Sequence, residues 1–170
     1  MKIFLVGFMG CGKTTFGKKL ASKLGYKFVD LDKSVEESVG MSIPDYFEKF
    51  GETAFREKER AILQTRTYSE NSVIATGGGA PCFFDNMQWM NEHGITVYIS
   101  LTAKALASRL ESATDERPVL QGLKGEDLER FIASKLAERD IFYTKASMIV
   151  EGINISPENF IPKLEEYQRR

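Results

Sequence analysis

Gly7-Phe8-Met9-Gly10-Cys11-Gly12-Lys13-Thr14 matches G-x-x-x-x-G-K-[ST] in full, with an apolar run before it and a helical pattern after it. These residue types suit a nucleoside triphosphate. Glycines let backbone N–H groups converge on phosphate oxygens with no Cβ in the way. A helix beginning near Lys13 adds the positive end of its dipole. Lys13 supplies a full charge to the β- and γ-phosphates, and the Thr14 hydroxyl can ligate Mg²⁺. The stretch expected against the phosphates is Gly10, Cys11, Gly12, Lys13, Thr14 and Thr15. Cys11 is either a small residue that fits the loop or a redox sensor, since a helix N-terminus lowers a thiol pKa. The N-K-x-D and D-x-x-G segments of guanine-specific GTPases do not occur in the sequence, which tilts the reading toward ATP and a kinase.

Four further groups carry chemistry. Asp30-Leu31-Asp32 ends an apolar run. Read as strand residues, i and i+2 share a face, so both carboxylates point at one pocket. Asp30 then suits Mg²⁺, directly or through water, and Asp32 an acceptor hydroxyl, which it positions or whose proton it takes. Two solvated acids, one of them capping the next helix, are the alternative. Arg56 and Glu59 are i, i+3 on a helical pattern, where the carboxylate can hold the guanidinium; a surface ion pair is the plainer reading. Arg139 falls in the apolar stripe Leu128, Ile132, Leu136, Tyr143. A cation there needs an anion, either a bound carboxylate or an internal acid. Thr76-Gly77-Gly78-Gly79 follows a strand, and its three glycines admit close approach of a ligand or another backbone. Arg117-Pro118 sits in an aperiodic stretch, placed either to swing over the phosphates or to remain a solvated loop charge.

The elements that must position these groups alternate. Apolar strands are expected at Lys2–Val6, Lys27–Asp30, Ser72–Ala75, Ile95–Ser100 and Ser147–Val150. Helices are expected at Lys13–Leu24, over roughly Lys33–Tyr68 with breaks near Gly40 and Gly51, at Phe84–His93, Ala103–Leu110 and Glu126–Tyr143, and from Pro157 behind a Ser156 cap. Glu111–Gly125 has no periodicity and reads as a mobile loop. This alternation predicts an α/β fold with a parallel sheet covered on both faces, which binds ligands at the carboxyl ends of its strands.

Composition bounds the function classes. The 170 residues make one domain of ordinary size, and a net charge of −1 gives no electrostatic footprint for nucleic acid or a membrane surface. The two cysteines, Cys11 and Cys82, with a single histidine, His93, make neither a disulfide framework nor a zinc site, so a reducing compartment is expected. The apolar run after Met1-Lys2 is short and leads straight into the glycine loop, so a signal peptide is not expected. His93, Trp89 and Cys82 form no chemical pattern.

Taken in order, the glycine loop with Lys13-Thr14, Asp30-Leu31-Asp32, Phe55-Arg56-Glu57-Lys58-Glu59, Gly77-Gly78-Gly79, Arg117-Pro118-Val119-Leu120, and Arg139 with Tyr143 and Ala146 resemble the motifs of the shikimate kinase family. They span residues 7–146; the loop alone is common to many kinases, and the ordered set is specific. Many family members have Ala-Gly-Lys-Ser where this chain has Cys11-Gly12-Lys13-Thr14, and Thr keeps the metal hydroxyl. The resemblance implies a P-loop three-layer sandwich like that of nucleoside monophosphate kinases, with a five-stranded parallel sheet in the order 2-3-1-4-5. It implies one kinase domain over 1–170, with a substrate-binding helical region at about 33–68 and a lid at about 111–125. The implied reaction phosphorylates shikimate with ATP. Arg56 and Arg139 would bind the carboxylate, Asp32 the ring hydroxyls, and Gly78 and Gly79 the substrate through their backbone. Lys13 and Arg117 would reach the transferring phosphate, Thr14 and Asp30 would hold Mg²⁺, and Arg109 would stack on adenine. A cytoplasmic monomer acting on small molecules, without nucleic acid or membrane, is expected. Two other readings share the loop: a gluconate-type or nucleotide kinase, and a non-catalytic ATP-binding module.

Overall fold

A computed structural model describes residues 1–113, 120 and 122–170 of the chain. Strand β1 (Lys2–Val6) leads through the glycine loop into helix α1 (Lys13–Leu24). Strand β2 (Lys27–Asp30) is followed by α2 (Leu31–Val39) and the long α3 (Ile43–Thr65). Next come β3 (Ser72–Ala75), a short 3₁₀ turn at Ala80–Cys82, α4 (Asn86–His93), β4 (Ile95–Ser100) and α5 (Ala103–Glu111). The chain closes with α6 (Gly125–Tyr143), β5 (Met148–Glu151) and α7 (Pro157–Gln168).

The five strands form one parallel sheet in the order β2-β3-β1-β4-β5. Central β1 carries Ile3, Phe4, Leu5 and Val6, all fully buried, as a strand covered on both faces requires. Leu5 packs against Gly17 of α1, while Phe4 meets the Trp89 ring of α4 edge-on at 6.0 Å, so the two helices lie on opposite faces. The Phe16 ring of α1 meets Phe160 of α7 at 5.4 Å, which docks the last helix beside the first. A capping box between Ser156 and Asn159 starts α7 where the sequence places it.

Two local features depart from the sequence reading. Asp32 is not a strand residue: β2 ends at Asp30, whose carboxylate caps α2 by accepting from the Lys33 N–H at 3.2 Å, and Leu31 already opens the helix. The Ala80–Cys82 turn is an added element, and it delays the start of α4 to Asn86. By contrast, the breaks at Gly40 and Gly51 are real. Gly40 ends α2 in the left-handed conformation, and Gly51 kinks α3 with φ 82°.

Candidate active site

The carboxyl ends of β1, β2 and β3 open into a cleft of about 380 Å³. Its floor is the glycine loop: Gly10, Gly12, Lys13, Thr14 and Thr15 all line it. Gly12 caps α1 with φ 99°, a left-handed conformation that disfavours a side chain. No side chain caps this end of α1, and no acid sits in its first turn. The first N–H groups of the helix therefore remain free for an anion. Lys13 is buried, and its Nζ donates to Gly7 O at 2.6 Å and Phe8 O at 3.0 Å, which holds the charge inside the loop. The Cys11 thiol is buried under the loop, 3.7 Å from Lys13 Nζ, so a redox-sensing role finds no access.

Asp30 and Asp32 both line the cleft despite the change of secondary structure, because the first turn of α2 turns Asp32 toward the loop. Burial raises the Asp32 carboxyl above the usual range, the neighbouring Asp30 pushes it the same way, and Lys13 opposes both. A carboxylate moved toward neutrality suits proton acceptance. Among the described residues no three acids, cysteines or histidines are grouped to hold a metal. Thr14 with one carboxylate fits Mg²⁺, which keeps several waters and takes its other oxygens from one or two protein groups and the substrate phosphates.

The three glycines after β3 are surrounded by charge. A Cβ on Gly77 would lie 2.7 Å from Asp32 Oδ1 and 3.2 Å from Glu59 Oε2. On Gly78 it would lie 3.2 Å from the Met9 N and 3.4 Å from Arg139 Nη1, and on Gly79 2.5 Å from Arg56 Nη2. Consecutive residues thus touch the glycine loop and both arginines, which come from α3 and α6. Arg56 is 9% exposed, and its Nη1 donates to Glu59 at 3.0 Å. Its Nε finds no hydrogen-bond acceptor, although Glu52 Oε1 lies 3.5 Å away. Arg139 Nη1 is buried with no acceptor, and Arg139 has no ion pair among the described residues. Buried N–H groups left unpaired are rare and call for an anionic partner. Tyr143, whose phenol burial holds well above its ordinary pKa, donates its O–H to Gly78 O and so fixes the glycine turn.

Arg109 lines the cleft and donates from Nη1 to Cys11 O at 3.2 Å, at the outer end of the loop. Arg117 lies outside the described residues. Sequence reasoning passed over Phe8, whose ring sits 5.3 Å below the Arg139 guanidinium, and Phe83, whose ring covers Arg56 at 4.2 Å. Neither lies in a periodic segment that would have singled it out. Cys82 is half-buried near both arginines, and burial pushes its thiol up to about 11, which leaves it unreactive.

The family model for shikimate kinase matches residues 9–167 of the chain. A shikimate kinase from Parabacteroides distasonis is 48% identical over 158 residues, covering 93% of this chain and 91% of that protein. The crystal structure of shikimate kinase from Bacteroides thetaiotaomicron superposes with a TM-score of 0.91 at 41% identity, covering 100% of this chain and 99% of the other. That of shikimate kinase from Acinetobacter baumannii, solved in complex with shikimate, superposes at 0.82 with 34% identity, covering 97% and 90% of the two chains. An uncapped phosphate loop facing two arginines that each keep a buried N–H without an acceptor, together with relatives this similar over nearly their whole length, establishes that the chain belongs to the shikimate kinase family.

Proposed function

We propose that the chain transfers the γ-phosphoryl group of ATP to a ring hydroxyl of shikimate, giving shikimate 3-phosphate and ADP. One observation carries this reading beyond the nucleotide site. Arg56 and Arg139 reach Gly79 and Gly78 from separate helices, each with a buried N–H that has no acceptor. A carboxylate bound between them would accept both hydrogen bonds. An acceptor with no anionic group would leave these donors unsatisfied; gluconate and AMP each carry an anion of their own, so the acceptor assay below separates those readings. A purely nucleotide-binding module has no use for them at all.

The residues divide the work as follows. Gly10, Cys11, Gly12, Thr14 and Thr15 hold the phosphates through backbone N–H groups and hydroxyls, and Lys13 balances charge on the transferring group. Thr14 and Asp30 would hold Mg²⁺, which offsets phosphate charge when bound. Arg56 and Arg139 fix the acceptor's carboxylate, while the Gly78 and Gly79 backbone lets the acceptor approach. Asp32 accepts the proton of the attacking hydroxyl as its oxygen bonds to phosphorus and the bond to the ADP oxygen breaks. Arg117, in the lid expected at about 111–125, would reach the same phosphate, and the helical region at about 33–68 would bind the acceptor. Arg109 takes the adenine side of the cleft. The two free thiols suit a reducing cytoplasm, and a net charge of −1 suits a monomer that handles small anions through local cations.

An ADP-release assay with shikimate, gluconate and AMP as acceptors tests this. Turnover with shikimate alone is the expected result. Turnover with AMP or gluconate in its place would reassign the acceptor, and ATP binding without acceptor-dependent turnover would remove the catalytic reading.

A further inference from the structure

The segment between the 3₁₀ turn and α4 is fastened to α3 along one face. The Phe83 ring lies over the Arg56 guanidinium at 4.2 Å. Phe84 lies over Arg60, one turn further along α3, at 5.0 Å. Asp85 pairs with Arg60 at 3.1 Å and accepts from Gln64 at 2.9 Å. In a continuous extended chain, successive side chains point to opposite sides. Here Phe83 is extended, with φ −119°, but Phe84 adopts φ 51°, a left-handed conformation uncommon for a bulky residue. This bend lets two consecutive rings cover two arginines of the same helix. Strain of that kind persists only where surrounding contacts over-determine it.

Of the two arginines, only Arg56 faces the acceptor glycines. Its Nη1 is held by Glu59, its Nη groups lie against Gly79, and its Nε has no acceptor. An aromatic ring over a guanidinium attracts its charge and fixes the plane of the fork, which sets the direction of the free N–H groups. We propose that Phe83 is a positioning residue for acceptor binding: its ring sets the plane of Arg56, so that the open edge of the guanidinium is aimed at the acceptor's carboxylate before the acceptor arrives. This rests on the reading of Arg56 as a carboxylate-binding residue. It predicts an effect on acceptor binding rather than on phosphoryl transfer, because Phe83 is not among the residues lining the nucleotide cleft.

The test compares steady-state kinetics of wild type, Phe83→Leu, Phe83→Met and Phe83→Tyr, alone and in an Arg56→Ala background. The leucine and methionine variants should raise the shikimate KM roughly three- to tenfold, the range an exposed-to-buried cation–π contact implies. Their kcat and ATP KM should stay within about twofold of wild type, and Phe83→Tyr, which keeps the ring, should restore the KM. In the Arg56→Ala background the same changes should have no further effect on KM, because the side chain through which Phe83 acts is gone. An unchanged KM in both non-aromatic variants would overturn the proposal. So would a loss that tyrosine does not restore, or one that persists undiminished without Arg56, since either marks a packing role. If wild type itself fails to turn over shikimate, the function assignment fails instead, and the two failures stay distinct. Should the leucine variant not fold, the methionine variant, whose unbranched side chain adapts to an irregular gap, carries the comparison.

Discussion

Arg56 and Glu59 stand one turn apart on α3 and form an ion pair of 3.0 Å in which the carboxylate is only 1% exposed. The pair is not a closed unit. Arg56 retains an unpaired Nε, and the second oxygen of Glu59 faces Gly77. Glu59 fixes the arginine without fully neutralising the site, since burial pushes its own carboxyl up to about 7 against the pull of Arg56. Asp32 adds to that upward shift from across the glycine turn. The acceptor side of the cleft therefore keeps a positive bias suited to an anionic ligand.

Replacing Glu59 by Gln should change how stability depends on pH. The folded carboxyl titrates at about 7, against 4.5 in an unperturbed glutamate. Between those values the folded chain holds a proton that the unfolded chain has released, so this group lowers stability as pH rises through that window. The penalty is absent below 4.5, complete above 7, and amounts to about 3 kcal/mol at 1.36 kcal/mol per pH unit. Urea unfolding at about pH 5 and about pH 8 checks this. Glu59→Gln should lose most of the difference seen in wild type; an equal difference in both proteins would remove Glu59 as its source.

Arg139→Ala should raise the shikimate KM by roughly 10- to 150-fold, the equivalent of about 1.5–3 kcal/mol for one charged hydrogen-bonded contact. The ATP KM should change little, because Arg139 lies beside Gly78 and outside the set of residues lining the phosphate cleft. Initial-rate kinetics with each substrate varied separately decide the point, and unchanged shikimate kinetics would take Arg139 out of the site.

Gly79→Ala places a methyl 2.5 Å from Arg56 Nη2 and 2.7 Å from its Cζ. The guanidinium must move, since it is the flexible partner. We expect a folded protein with a shikimate KM raised about tenfold or more, in line with losing a charge-assisted contact. A melting temperature near that of wild type, combined with the raised KM, would locate the effect in the site rather than the fold.

Lys13→Ala should leave the fold intact and reduce kcat at least about a hundredfold, as losing a charge that stabilises the transferring phosphoryl group does. The Lys13 Nζ bonds only within the loop, to the Gly7 and Phe8 carbonyls and the Cys11 thiol at 3.7 Å, so no hydrogen bond to another element is lost with it. Circular dichroism establishes folding, and single-turnover rates establish the loss. Normal turnover would refute the phosphate assignment.

The sequence by itself determined the strand and helix succession and the phosphate loop. Both are local signals: hydrophobic periodicity marks each element, and the glycine spacing with Gly12-Lys13-Thr14 marks the loop within eight consecutive residues. Asp30 and Asp32 were legible as a pair, and so was the end of β2 at Asp30, but whether Asp32 shared the strand face or opened a capped helix was not, because the capping hydrogen bond that starts α2 at Leu31 competes with continued strand and local pattern does not decide between them. Only the tertiary structure decided that Arg56, Arg139 and the three glycines meet. They come from α3, α6 and the end of β3, and their convergence follows from the order in which parallel strands assemble around β1. The ring of Phe83 over Arg56 belongs to the same class: it depends on a left-handed bend at the next residue, which no periodicity announces.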